Sequence, residues 1–274
     1  MAETDAGFPL LIGPEELGER DDVVLADVRW YLDGRSARAT YEAGHIPGAR
    51  FFDLDRDLAE VRDPTEGRHP LPSPTHFAAR LGEAGIAAGV PVVAYDDSGG
   101  GTAARLVWML RALGEPAALL DGGIAAYEGP LEVGPGPRLV PVARDPRPWP
   151  SALLAGPDDL ASGLLLDARA PERYRGEVEP LDPRPGHIPG AANLPWTLLL
   201  DDATGRFASA AELRARFSDV GATDVPVIVS CGSGVTACAL AIGHELAGLG
   251  PTRLFVASFS GWSSDPSRDV ALGS

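Results

Sequence analysis

"GHIPGA" stands at residues 44–49 and again at 186–191. A six-residue identity within a chain of 274 residues raises the question of whether the rest repeats with it. It does. "LADVR" at 25–29 answers "LLDAR" at 165–169, and "GPEEL" at 13–17 answers "GPDDL" at 156–160. "PVVAYDDSGGG" at 91–101 answers "PVIVSCGSGVT" at 226–236. The four matches keep their order, and each is displaced by roughly 140 residues. That period is too long for a solenoid, so the chain reads as two copies of one domain. The seam is "EGPLEVGPGPRLVPVARDPRPWPS", 128–151, rich in Pro and Gly and without sustained periodicity. It reads as an extended linker. The expected organisation is a first domain at 8–128, a linker at 129–150 and a second domain at 151–274.

Within each copy, short apolar runs alternate with helical patterns. Val23–Val28, Val92–Tyr95, Leu164–Ala168 and Val227–Ser230 have the composition of buried strands. Thr102–Leu113 and Ala237–Leu249 have helical spacing, and each is closed by Gly. Apolar strands alternating with helices predict an α/β fold, in duplicate, each copy a parallel sheet with helices on both faces.

Composition narrows the function. A formal net charge of -16 argues against nucleic acid as a partner and suits a protein that handles small molecules. Two cysteines provide neither a disulfide framework nor a zinc set, and no metal or organic cofactor is implied. The N-terminal residues lack a basic region followed by a long apolar one, and no run is long and apolar enough for a membrane span. A cytoplasmic protein with no membrane partner is therefore expected.

One of the two cysteines, Cys231, stands one residue past the apolar run 225–229, after Ser230, and opens "CGSGVT". Ligands of open α/β sheets bind beyond the carboxyl ends of the strands, and Cys231 sits at such an end. Gly232 and Gly234 let the backbone curl so that N–H groups turn inward, and a helix N-terminus follows at about Ala237. Both effects favour a thiolate and would cradle a persulfide or an anionic substrate. A buried, inert cysteine is the competing reading; the Gly-x-Gly setting favours a working one. In the first copy Asp96 takes the place of Cys231, so that loop has no thiol. A cysteine phosphatase would need arginine at position 237, where Ala stands. Cys238 falls inside the helix and reads as a core residue; His45 and His187, present in both copies, read as residues that order turns.

The duplicated domain, "GHIPGA" in each half and "CGSGVT" in the second half resemble the two-domain rhodanese superfamily over nearly the whole chain. The loop is most similar to that of its 3-mercaptopyruvate sulfurtransferases; thiosulfate sulfurtransferases have a more basic loop. The resemblance implies a sulfurtransferase that moves sulfur through a Cys231 persulfide to a thiol or cyanide acceptor, the thiol being a thioredoxin-like protein or a small molecule. It also implies a relay of Ser233 with His69 and Asp55, carried by "GRHPLP" (67–72) and "FFDLD" (51–55), with Asp53 and Asp57 close to Asp55 in sequence. "ERYRGEVEPLDPRPGHIPG", 172–190, resembles the family's arginine-bearing segment. It makes Arg173 the first substrate arginine and Arg184 the candidate second, with Arg175 as the alternative. Gly232, Gly234, Val235 and Thr236 complete the expected substrate loop. "ASFSGW", Ala257–Trp262, replaces a Gly and a Trp of the family's GSWSxW-like segment with Ala257 and Phe259. A non-catalytic persulfide- or anion-binding module is the reading from a different class.

Overall fold

A computed structural model describes residues 7–273. The described chain divides into two compact units. The first runs up to Ala59 and includes Pro72–Trp149 and Thr204–Arg206; the second comprises Glu60–Leu71, Pro150–Ala203 and the chain from Phe207 onward. The second unit therefore takes twelve residues, Glu60–Leu71, from the middle of the first sequence copy.

The first unit carries β1 (Leu11–Ile12), α1 (Pro14–Gly18), β2 (Val24–Asp27), α2 (Ala37–Ala43), β3 (Arg50–Phe51), α3 (Leu54–Asp57), α4 (Pro74–Glu83), β4 (Val92–Tyr95), α5 (Ala103–Ala112) and β5 (Ala117–Leu120). Its sheet has the order β1-β5-β4-β2-β3, and every pairing is parallel. The second carries β6 (Leu164–Asp167), α6 (Pro171–Tyr174), β7 (Ala192–Asn193), α7 (Ala210–Asp219), β8 (Val227–Ser230), α8 (Ala237–Leu246), β9 (Arg253–Leu254) and α9 (Ser258–Ser264). Its sheet runs β7-β6-β8-β9, again all parallel. Both are α/β layers, each a parallel sheet accompanied by helices. The central strands β4, β5 and β8 are buried at every residue, as expected of strands covered on both sides. That cover explains why these segments read as continuous apolar runs and not as alternating patterns.

The duplicated motifs turn out to be anchors. Asp27 at the end of β2 and Asp167 at the end of β6 each hold the arginine two residues on, Arg29 and Arg169, through both carboxylate oxygens. Each arginine then donates to the carbonyl that opens "GHIPGA", Gly44 O at 2.9 Å and Gly186 O at 2.8 Å. His45 stacks on Tyr41 at 3.9 Å, and His187 on Tyr174 at 3.8 Å. Each imidazole Nδ1 is hydrogen-bonded to the carbonyl of the tyrosine beneath it, and each tyrosine hydroxyl donates to the last residue of the motif, Ala49 or Ala191. The same wiring occurs in the copy with a cysteine and the copy without, so these histidines order turns.

Residues 130–149 form no helix; they are laid against the first unit. Val142 N donates to Gly82 O at 3.0 Å, Arg144 pairs with the buried Glu115 at 2.9 Å, and Trp149 Nε1 donates to Pro72 O at 2.8 Å. A Cβ at Gly82 would lie 2.5 Å from Val142 O, so glycine is what permits this close approach. No described helix is long and apolar enough to cross a membrane.

Candidate active site

The site grows from the end of β8. Cys231 follows Ser230 directly, and its side chain is buried, with the residue 2% exposed. The chain turns through Gly232–Thr236 into α8. Gly234 has φ +76, and its N–H donates to Cys231 Sγ at 3.1 Å. A Cβ there would lie 2.5 Å from Val256 O, so position 234 is closed to side chains by both backbone and space. Thr236 is the N-cap residue of α8, and Val235 O accepts from Cys238 N at 3.0 Å. Cys238 is fully buried within α8, where its Sγ contacts Gly234 O at 3.4 Å.

The segment "ASFSGW" supports this loop from its far side. Ser258 Oγ accepts from Cys231 N at 3.1 Å and donates to Phe255 O at 2.9 Å. Phe259 N donates to Cys231 O at 3.0 Å, and Ser260 N to Gly232 O at 2.8 Å. Ser258 has φ +51, a strained value for a side-chain-bearing residue, and it is fully buried beneath the cysteine. Phe259, which replaces the family's Trp, lies under the Arg169 guanidinium at 4.0 Å.

The strap Glu60–Leu71 delivers the remaining chemistry. Its Gly67 has φ +90 and so little room that a Cβ would lie 2.5 Å from Ala257 O. Arg68 N donates to Ser260 Oγ at 3.0 Å. The next residue, His69, is 5% exposed and brings Nδ1 to 2.7 Å from Ser233 Oγ. Ser233 stands two residues after Cys231, so a nucleophile candidate, a hydroxyl and an imidazole are gathered on one loop and its strap.

Arg173, in the last turn of α6, also reaches this loop. Its Nη2 donates to Glu179 Oε1 at 2.7 Å and to Asp182 Oδ2 at 3.0 Å. The other oxygen of Asp182 holds Arg68 Nη1. Burial pushes the Asp182 carboxyl up, against the pull of Arg68, and the nearby Glu179 adds to the rise. Arg184 is positioned differently from the expected second arginine. Its guanidinium donates to the carbonyls of Trp262, Ser263, Asp265 and Arg268, at 2.7 to 3.3 Å, and so ties off the C-terminal end of α9. Arg175 pairs with the exposed Glu177. Asp55 lies in the first unit, in α3, where its Oδ2 accepts from Trp30 Nε1 at 3.0 Å. Of its sequence neighbours, Asp53 caps α3 and Asp57 pairs with Arg80, so both have local structural duties.

Sequence reasoning missed Arg68, Asp182, Ser258 and Ser260. "GRHPLP" displayed Arg68 beside the chosen histidine, and that adjacency was the available signal. Ser258 and Ser260 gave none, because their work depends on how α9 sits under the loop. Among the described residues there is no cluster of His, Cys, Asp and Glu that could hold a metal ion.

The equivalent loop of the first unit is filled by its own side chain. Asp96 follows β4 and is fully buried. Its carboxylate accepts from the N–H groups of Ser98, Gly100, Thr102 and Ala103 at 2.8 to 2.9 Å, and from Thr102 Oγ1 at 3.0 Å. An anion is thus permanently seated at the start of α5, as such loops favour.

Comparison with known proteins agrees with this architecture. The rhodanese-like domain family matches residues 15–129 and 150–265. A Pseudomonas aeruginosa protein provisionally named 3-mercaptopyruvate sulfurtransferase is 43% identical, over 92% of this chain and 93% of its own. A Mycobacterium tuberculosis protein provisionally named thiosulfate sulfurtransferase is 41% identical, over 92% of each chain. The solved structure of 3-mercaptopyruvate sulfurtransferase from Leishmania major superposes with a TM-score of 0.83 at 30% identity, covering 93% of this chain and 74% of that one. Taken with the paired sheets and the single cysteine-bearing loop, these matches show that the chain belongs to the rhodanese family, as a sulfurtransferase with two rhodanese-like domains.

Proposed function

We propose that the protein takes sulfur from 3-mercaptopyruvate onto Cys231 and passes it to a thiol or cyanide, releasing pyruvate. The observation that carries this reading is the 2.7 Å contact of His69 Nδ1 with Ser233 Oγ, two residues from Cys231. A donor whose leaving group is a carbanion needs such a proton path; a donor that leaves as sulfite does not.

In the proposed reaction the Cys231 thiolate attacks the sulfur of the donor. The new S–S bond forms as the donor's C–S bond breaks, and the electron pair stays on carbon as the pyruvate enolate. Ser233 and His69 pass a proton to that carbon, giving pyruvate. Asp55 is the proposed third member of the relay, on the strength of the resemblance in "FFDLD". The persulfide anion left on Cys231 is held by the Gly234 N–H and the start of α8. An acceptor thiolate, from a small thiol or a thioredoxin-like protein, then attacks the outer sulfur, leaves with it as a persulfide, and restores the Cys231 thiolate. Arg173 and the loop Gly232–Thr236 are the proposed donor-binding elements.

A thiosulfate donor is the second reading. It is favoured by the two arginines that stand against Gly232, which give an uncharged loop sequence a cationic neighbourhood. Against it, both arginines already have carboxylate partners. The deciding experiment is intact-mass measurement after incubation with 3-mercaptopyruvate. The expected result is a gain of one sulfur, mapped to Cys231, with release of pyruvate, and loss of both in Cys231→Ser. A Cys231→Ser protein that still turns over the donor would overturn the mechanism.

A further inference from the structure

We infer that the protein has a second activity: it exchanges the C3 hydrogens of pyruvate with solvent, with no sulfur transferred. The inference rests on the donor reading above to name the carbon, and it follows from microscopic reversibility. A relay that delivers a proton to the enolate carbon of pyruvate also removes one from the methyl group of pyruvate. The relay is held apart from the nucleophile. His69 Nδ1 lies 2.7 Å from Ser233 Oγ, whereas the contact at Cys231 Sγ is the Gly234 N–H at 3.1 Å. His69 is carried by the strap, where Arg68 N donates to Ser260 Oγ, and Ser233 by the loop, where Gly232 O accepts from Ser260 N. Neither support uses the thiol. The pair therefore keeps its geometry whether Cys231 carries sulfur, is bare or is replaced. Ser233 is 7% exposed and His69 5%, which limits the water that could take the proton in place of the substrate.

The step balances without a co-reactant. A C3–H bond of pyruvate breaks, and its proton goes to Ser233 Oγ as the hydroxyl proton passes to His69 Nδ1. The electron pair of the broken bond becomes the C2–C3 double bond, and the carbonyl pair moves onto oxygen, giving the enolate. The reverse transfer returns a proton to C3, and nothing is oxidised or reduced. In heavy water the exchangeable positions of the relay carry deuterium, so the returning nucleus replaces a methyl hydrogen. The substrate class is a small 2-oxo acid with a hydrogen on C3.

The test follows the methyl proton signal of pyruvate by NMR in heavy water, with neither sulfur donor nor acceptor present. The signal should decay faster with the wild-type protein than in buffer alone. Ser233→Ala and His69→Gln should each lower the catalysed rate about a hundredfold, within the usual contribution of general acid–base groups. Cys231→Ser, which loses sulfur transfer, should still exchange. Wild-type decay no faster than buffer, in protein that turns over 3-mercaptopyruvate, overturns the inference and leaves the donor reading standing. An unchanged rate in Ser233→Ala or in His69→Gln overturns it too, because the base then lies elsewhere. Loss of exchange in Cys231→Ser also overturns it, by making the thiolate the base. Relay-dependent exchange in protein that does not turn over 3-mercaptopyruvate keeps the inference and removes the donor reading.

Discussion

The carboxylate of Asp96 gives the sharpest test of how these loops treat anions. In the first unit it takes the place that Cys231 has in the second, and it accepts four backbone N–H groups and one hydroxyl in a fully buried setting. Asp96→Ala removes the acceptor from all of them at once. At about 1–3 kcal/mol for each donor left unsatisfied, the four amides alone set an upper bound of about 12 kcal/mol. Water entering the vacated space will satisfy some of them, and breaking a buried charged contact from one side typically costs about 3–5 kcal/mol. The expected loss is therefore about 4 kcal/mol. For a unit of this size that corresponds to a fall of roughly 10–20 °C in its unfolding temperature. Calorimetry is the appropriate assay, because a chain of two units need not melt in one step, and the transition that moves should be that of the first unit. Asp96→Asn keeps the shape but turns an amide N–H₂ toward N–H donors, and should lose about 2–3 kcal/mol. Sulfate at about 50 mM should recover part of the loss in Asp96→Ala beyond its general effect on the wild type, by filling the emptied cradle. A shift of less than about 1 kcal/mol in Asp96→Ala would refute the reasoning, since the cradle would then have no need of its anion.

Two further outcomes follow from the second unit. Ser233→Ala removes the hydroxyl held by His69; kcat with 3-mercaptopyruvate should fall roughly a hundredfold, with thiosulfate turnover spared because sulfite leaves without a carbon to protonate. Steady-state rates with both donors check this, and equal losses would remove Ser233 from the relay. Asp182→Asn takes the paired carboxylate from Arg68 and leaves Arg173 with Glu179, and should raise kcat/KM for the dianion thiosulfate relative to 3-mercaptopyruvate by about tenfold. Burial raises the Asp182 carboxyl, so the wild-type site gains a positive charge as pH falls through a value above the ordinary aspartate range. The wild-type thiosulfate preference should accordingly rise on acidification, and a donor ratio with the same pH slope in both proteins would contradict this role.

The sequence carried the fold well because the fold is duplicated and its strands are buried on both faces. Continuous apolar runs at 92–95 and 227–230 can be read without knowing their partners. "GHIPGA" was legible as a turn motif for the same reason: its anchors, Arg29 and Arg169, lie in the matching "LADVR" and "LLDAR". Cys231 and Ser233 were legible because the loop is local. The second arginine was not. Arg184 stands in the segment where the family resemblance places an arginine, but α9 ends in carbonyls that need a donor, and Arg184 meets that need. Arg68 is 114 residues from Asp182 and 164 from Gly232 along the chain, and no local pattern brings a strap from the first sequence copy to a loop of the second. The departure of "ASFSGW" from its family pattern was visible, but its meaning required geometry: Ser258 and Ser260 hold the loop and the strap through hydroxyls, while Phe259 takes a cation on its ring.

The two copies amount to a controlled comparison of what turns this fold into a sulfur carrier. The scaffold is shared down to individual bonds: the Asp–Arg brace at the end of one strand, the stacked histidine and tyrosine, and the glycine carbonyl that receives the arginine. What differs is the loop after the neighbouring strand in the sheet, β4 in one copy and β8 in the other. In the first copy it runs from Asp96 to Thr102 before α5 begins, one residue longer than the run from Cys231 to Thr236 before α8. The longer loop closes over a carboxylate that belongs to the chain and cannot leave. In the second copy the only described backbone donor to the cysteine is Gly234 N–H, and the space beside Gly232 is lined by arginines braced from behind. On the proposed mechanism, an anion cradle built into the fold becomes a working site when its resident anion is removed, a sulfur nucleophile is placed at its entrance, and cations for the incoming donor are positioned by other segments. On that argument, replacing Asp96 by cysteine would not by itself create a second sulfur-carrying site. The loop would have its nucleophile, yet it would keep its extra residue, and the strap bearing Arg68 and His69 belongs to the second unit.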